Sequence, residues 1–142
     1  MSPQSHMDRL SSVDASFLSN ESSASHMHVG AVLTVARALV LLDFVADRDL
    51  SIPREAGSDA KLWARLRRAA KRVGVGATFP DELRGEITDD HTPFTARGVP
   101  AIDLIDFDFP SWHKTCDDMS AVSASSLDRS GEAVLELMRT WR

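Results

Sequence analysis

Three side chains with chemistry of their own stand in segments whose pattern leads up to them. They are Asp43 in Leu-Leu-Asp-Phe-Val, Asp89 in Asp-Asp-His-Thr-Pro-Phe, and His113 in Phe-Pro-Ser-Trp-His-Lys-Thr. An aspartate set in an apolar strand is costly to bury unless it is paired, hydrogen-bonded or bound to a cation. Asp43 therefore reads either as a metal ligand or as a carboxylate accepting backbone N–H bonds at a strand end. His113 precedes Asp117 and Asp118, which could orient its ring as carboxylates orient metal-bound imidazoles. Beside Trp112, it also reads as a packed surface residue. Asp89 and Asp90 have a plainer use: Asp90 can cap a short helix, and Asp89 then merely precedes it.

The elements that must position these residues follow from the spacing of apolar side chains. Ala31 to Ala46 is rich in Ala, Val and Leu, and its β-branched and leucine-rich part, Leu39 to Val45, predicts a covered strand. A loop with Pro53 and Gly57 follows. Asp59 caps a predicted helix from Ala60 to Val73, with Leu62, Leu66, Ala69 and Val73 on one stripe, and Gly74 and Gly76 stop it. The opposite face carries Lys61, Arg65, Arg67, Arg68, Lys71 and Arg72, a solvated helix face or an anion patch. Asp90 to Arg97 predicts a short helix with Pro93 in its first turn and Gly98 at its end. Val99 to Phe109 is strand-like, and Asp103, Asp106 and Asp108 suggest a polar rim beyond Ile105. Ser125 and Asp128 resemble a capping box that opens a last helix with Leu127, Val134, Leu135, Met138 and Trp141 as its apolar stripe. Strand, helix, strand, helix in this order predicts an α/β layered fold with a largely parallel sheet flanked by helices. Such a sheet places its ligands at the carboxyl ends of its strands, where Asp43, Asp89 and His113 fall.

Bulk properties narrow the partners. A chain of 142 residues with 43% hydrophobic and 26% charged residues has the makings of one soluble domain. A net charge of -5 argues against nucleic acid or an anionic membrane as main partner. The longest apolar stretch, Ala38 to Ala46, is broken by Asp43 and is too short to span a bilayer. A polar N-terminus without a secretory pattern suggests a cytoplasmic protein by default. The single cysteine, Cys116, rules out an internal disulfide and reads as a small packed or surface thiol. Met1 to Met27 is serine-rich and reads as irregular, and the pattern changes from Val29; the two resemblances given below imply a division into residues 1–33 and 34–142.

Taken together, LLDFVADRDLSIPRE, DDHTPF and RGVPAIDLIDFDFPSWHKTCDD resemble the co-catalytic zinc aminopeptidases and glutaminyl cyclases, from about Ala38 to Arg142. The resemblance implies zinc as cofactor, peptide N-termini as substrates, and a zinc exopeptidase fold of which this chain holds only part. It matches Asp43 to an aspartate that ligates zinc in the aminopeptidases, and His113 to the last histidine ligand. It matches Asp89 to an acidic residue hydrogen-bonded to the catalytic acid/base of the cyclases. Phe109 and Trp112 match apolar residues of the substrate pocket. In such enzymes zinc polarises the carbonyl and activates water while a glutamate moves the proton.

The chain also departs from that pattern. The family supplies a His-x-Asp pair and a Glu-Glu pair; this sequence has no Glu-Glu, and its His6-Met7-Asp8 lies in the serine-rich leader. Each zinc would keep about one protein ligand where a catalytic site needs three. An open apolar sheet edge should then seek a second copy or a complementing subunit. At the front, MDRLSSVDASFL and MHVGAVL are similar to the start of bacterial wax ester synthase/diacylglycerol acyltransferases, without the family's His-His-x-x-x-Asp-Gly. Three functions follow as expectations: a zinc peptidase or cyclase activity that depends on complementation, a non-catalytic fragment acting through its open edge, and an acyltransferase-related lipid protein.

Overall fold

The computed structural model describes residues 36–142. The serine-rich segment lies outside the described residues, as do His6-Met7-Asp8 and the acyltransferase-like stretch.

Two short strands form the sheet. β1, Leu39–Leu42, pairs in parallel with β2, Ala101–Leu104, with Leu39 opposite Ala101 and Leu42 opposite Leu104. β1 is shorter than the predicted strand to Val45, and it is half-buried with Leu42 exposed. The parallel ladder nevertheless runs on past its end. The Asp43 N–H donates to the Leu104 carbonyl at 3.0 Å, and the Asp106 N–H donates to the Phe44 carbonyl at 3.0 Å. Asp43 therefore leaves the sheet in a fixed direction. The other edge of β2 is covered by the incoming loop, where the Asp59 N–H bonds the Ala101 carbonyl and Ser58 Oγ accepts the Asp103 N–H.

The long helix after this loop forms as the sequence predicts. α1 spans Ala60–Arg72, and the Asp59 side chain accepts the Leu62 N–H at 2.7 Å, which satisfies one orphan donor of the first turn. Gly74, at φ 82°, ends it in a backbone region that other residues rarely adopt. Leu62, Trp63, Leu66, Ala69 and Ala70 are buried. The basic face opposite is a solvated one with local partners, Arg67 on Asp81 and Arg72 on Glu136.

α2, Thr92–Thr95, is shorter than the predicted helix, and Gly98 follows it at φ 75°. Its N-cap position is held by His91 without a side-chain cap bond, so Asp90 does not cap it. The Asp90 N–H instead donates to the Asp89 carboxylate.

α3, Ala124–Arg139, starts at Ser123 with no side-chain cap, not at the Ser125/Asp128 box. Its buried face is Ser126, Ser130, Ala133 and Leu137. The predicted stripe is largely outside: Leu127, Leu135 and Met138 are exposed. The reason lies in Ser130, whose hydroxyl donates to the Val45 carbonyl at 3.1 Å. Small hydroxyl side chains there let the helix lie close to the chain leaving β1 while satisfying a buried acceptor.

The core joins both helices to one face of the sheet. Ile102 and Leu104 of β2 pack with Leu62, Leu66, Phe79, Ala133, Leu137 and Ile52, and Trp63 meets Phe79 edge-on with centroids 6.0 Å apart. The alternate residues of β2, Ala101 and Asp103, are buried but stand outside that cluster, as strand periodicity demands. The fold is α/β with a parallel sheet flanked by helices, and Asp103 lies on the sheet's other face.

Candidate metal centre

Asp43, Asp89 and Asp103 come together. One carboxylate oxygen from each lies within 4.8 Å of the others. They arrive from three places: the end of β1, the loop before α2, and the interior of β2. Asp43 is exposed, Asp89 half-buried and Asp103 fully buried. Asp89 is held in place by its own backbone, whose N–H donates to Thr92 Oγ1 at 3.1 Å. Sequence reasoning had set Asp103 on a polar rim. The structure instead buries it in the middle of β2, where only a ligand, a proton or a partner can offset the charge.

Like charges in a shared space raise one another's pKa. Burial pushes the Asp103 carboxyl up to about 7, and Asp43, Asp89 and Glu55 add to the rise. Partial burial also raises Asp43, with Asp89 and Asp90 reinforcing it and His113 opposing it.

Beneath this cluster lies a second buried set that the sequence did not single out. His91 is 2% exposed and stands between two fully buried acids, with Nε2 at 3.5 Å from Glu55 Oε2 and Nδ1 at 3.8 Å from Asp103 Oδ2. Glu55 Oε1 accepts the N–H groups of Gly57 at 2.6 Å and Ile87 at 3.0 Å. That pins the segment leading to Asp89. The only local signal was the acid-rich spelling around His91; the meeting of residues 55, 91 and 103 is a tertiary event.

His113 is exposed and is not a member of the carboxylate group, although its charge is near enough to act on Asp43. It adopts φ 55°, a left-handed conformation that is uncommon for a residue with a Cβ. Its ring meets Trp112 edge-on at 5.2 Å. Asp118 is engaged with Ser120 instead: the Ser120 side chain first, and then its N–H donating at 2.7 Å, lower the carboxyl's pKa. Phe109 is buried and Trp112 is 48% exposed, and Phe44 joins them, at 5.4 Å from Phe109 and 6.2 Å from Trp112. An aromatic wall thus stands over the strand ends, with Phe44 its unforeseen member.

The donor chemistry decides how far a zinc site is present. Catalytic zinc takes three protein ligands, with histidine nitrogen prominent among them. The described residues offer Asp43 and, near it, His113, while the other close donors to Asp43 are carboxylates. They do not complete a zinc site.

A further pair of acids sits behind. Asp47 and Asp106 are both buried. Burial first, and then the Asp106 charge, raise Asp47 to about 6. Asp106 takes the Ser51 and Asp108 N–H groups, at 2.7 and 2.9 Å. A folded form that keeps its proton to about pH 6 is fully stable below the unfolded aspartate's pKa and loses stability as pH rises through 6. Asp47→Asn supplies a permanent donor in place of that proton. It should raise stability above pH 6 by roughly 1–3 kcal/mol and change little near pH 4. Urea titrations at the two pH values check this, and equal shifts at both would remove the shared-proton account.

Comparison with known proteins agrees with these features. The family model described as "Peptidase family M28" matches residues 15–138. A glutaminyl cyclase from an Acidobacteriales bacterium superposes with a TM-score of 0.72 at 34% identity, covering 82% of this chain and 42% of that one. A leucine aminopeptidase precursor from Bacteroides thetaiotaomicron gives 0.71 at 30% identity, covering 75% and 39%. The glutaminyl-peptide cyclotransferase of Bos taurus is 29% identical over 102 residues, which is 63% of this chain and 28% of that protein. The chain thus spans well under half the length of these proteins. With residues 15–138 of its 142 matched, the chain belongs to peptidase family M28.

Proposed function

We propose that this chain forms the carboxyl-terminal part of a zinc-dependent exopeptidase or glutaminyl-cyclase-type site that acts on peptide N-termini. The observation that carries the reading is the convergence of Asp43, Asp89 and Asp103 beneath the Phe44, Phe109 and Trp112 wall in an M28 chain. Zinc, when bound, would supply carbonyl polarisation. The residues present assign narrower tasks to this chain. Asp43 and His113 offer one carboxylate and one imidazole to the metal side. Asp89 lies beside Asp43 and Asp103, where a carboxyl group can hold or pass a proton to a partner acid. Phe109 and Trp112 give an apolar surface for the first side chain of a peptide.

With no Glu-Glu pair and an incomplete ligand set, the chain depends on a complementing subunit for turnover. The purified chain should therefore hold well below one zinc and show no aminopeptidase or cyclase activity. Stoichiometric zinc that vanishes in both Asp43→Ala and His113→Ala, together with turnover, would overturn this dependence.

A second reading is non-catalytic. Among the described residues β1 pairs on one side only, and Leu42 and Met138 are 43% and 68% exposed. Such an edge suits strand or subunit addition. A clean monomer by light scattering at high concentration would count against it. The acyltransferase-like segment lies outside the described residues and enters neither reading.

A further inference from the structure

The two outer edges of the sheet differ. That of β2 is closed by Ser58 and Asp59, whereas that of β1 has no cover among the described residues. Leu39 and Asp43 turn their N–H groups inward, to the Pro100 and Leu104 carbonyls of the β2 side. Strand alternation then turns the main-chain N–H and C=O of Ala38, Val40 and Leu42 to the open edge. Beside that edge runs a groove of about 560 Å3, walled by Ala38, Val40 and Leu42 and by Val134, Met138 and Trp141 at the end of α3. Ala38, Val40, Val134 and Trp141 also pack against the core, so strand edge and helix end form one apolar surface. Unpaired main-chain groups run along it.

We propose that a second copy of this chain docks on this edge, its β1 running antiparallel to the first about a two-fold axis at Val40. Val40 then faces Val40 of the second copy, and Ala38 faces the second copy's Leu42. This register pairs every free residue of the edge, because Ala38, Val40 and Leu42 meet their own counterparts in reverse order. A register centred on Leu41 would instead set Ala38 against Phe44, whose carbonyl already accepts the Asp106 N–H. The side chains fit the same alignment. Small Ala38 lies opposite large Leu42, and exposed Arg37 comes beside exposed Asp43 of the second copy at both ends of the joint. A segment that is basic at one end, apolar in the middle and acidic at the other is its own complement when reversed, as a closed two-fold interface requires. An axis perpendicular to the sheet keeps both α3 helices on one face. The two grooves then merge, and Met138 and Trp141 of each copy cover the joint.

The proposal rests on the open-edge reading and is independent of the zinc one. Sedimentation of the full 142-residue chain from roughly 5 to 200 µM should show reversible dimerisation. Val40→Pro removes a donor that faces the open edge and leaves the β1–β2 bonds in place, so it should give a folded monomer. Met138→Glu, at a position 68% exposed, should raise the dissociation constant by about tenfold or more without unfolding the chain. In a Cys116→Ser background, Val40→Cys should form a disulfide-linked dimer on oxidation, because facing Cα atoms of a bonded antiparallel pair lie about 5.5 Å apart; Leu41→Cys should not. A monomer at every concentration overturns the proposal. So does a dimer that survives both Val40→Pro and Met138→Glu, or one that crosslinks through Leu41→Cys and not through Val40→Cys. Hydrogen exchange separates this failure from that of the open-edge reading. In a monomer, rapid exchange at the Val40 and Leu42 amides removes the second copy alone, and protection there removes the open edge as well.

Discussion

Asp103→Asn should make the protein more stable near pH 8 than the parent, by on the order of 2–4 kcal/mol in the absence of divalent cations. The sign follows from where the proton sits. Burial, and then Asp43, Asp89 and Glu55, push the Asp103 carboxyl up to about 7, while the unfolded aspartate titrates near its ordinary value of 3.8. Between those pH values the folded state binds more protons than the unfolded one. Stability is therefore complete below about pH 4 and is lost as pH rises through 7. Asparagine has nearly the same shape and stays neutral throughout, so its stability profile should be flatter over that window. Urea denaturation at about pH 4, 6 and 8 measures the difference. A parent protein that gains stability from pH 5 to 8, or an asparagine variant that loses it, would sink the argument.

The same residue shows where reading along the chain stops. Asp43 was legible because an acid within an apolar run is conspicuous, and the run was long enough to suggest a strand. Asp103 sits in an equally apolar run, but two further acids behind it, Asp106 and Asp108, make the stretch look like a polar edge. Only the register with β1 shows that Asp103 lies inside the strand and the other two beyond it. α1 was legible nearly whole because its cap, stripe and stop are all local signals. The buried face of α3 was not, because Ser126 and Ser130 are polar by composition and buried by contact. Periodicity assigns a serine to water; the acceptor that Ser130 satisfies, the Val45 carbonyl, lies 85 residues earlier. His113, matched like Asp43 to a zinc ligand, stands on a left-handed turn beside Trp112, outside the trio of close carboxylates. The α/β class was thus readable. The depth of each acid was not, since depth is set by segments that meet only in three dimensions.

His91 is the clearest case of such a meeting, and its removal should have the largest effect on stability. His91→Ala is expected to cost on the order of 3–5 kcal/mol. Part of that is the cavity left by a ring that is 2% exposed. The rest is electrostatic, because the ring is what separates Glu55 from Asp103, and both are fully buried. Glu55 cannot turn away to solvent, since its other oxygen holds the Gly57 and Ile87 N–H groups. His91→Gln, which keeps much of the volume and one donor, should recover about half of the loss. Adding Glu55→Gln to His91→Ala should restore more than the separate effects predict, with a coupling of about 0.5–3 kcal/mol, because it removes one of the two stranded charges. A cost for His91→Ala below about 1 kcal/mol, or simple additivity in the double variant, would show that the ring merely fills space. If the coupling is found, the imidazole holds the floor of the carboxylate cluster, and the α2 loop that carries Asp89 depends on it for its place beside Asp43.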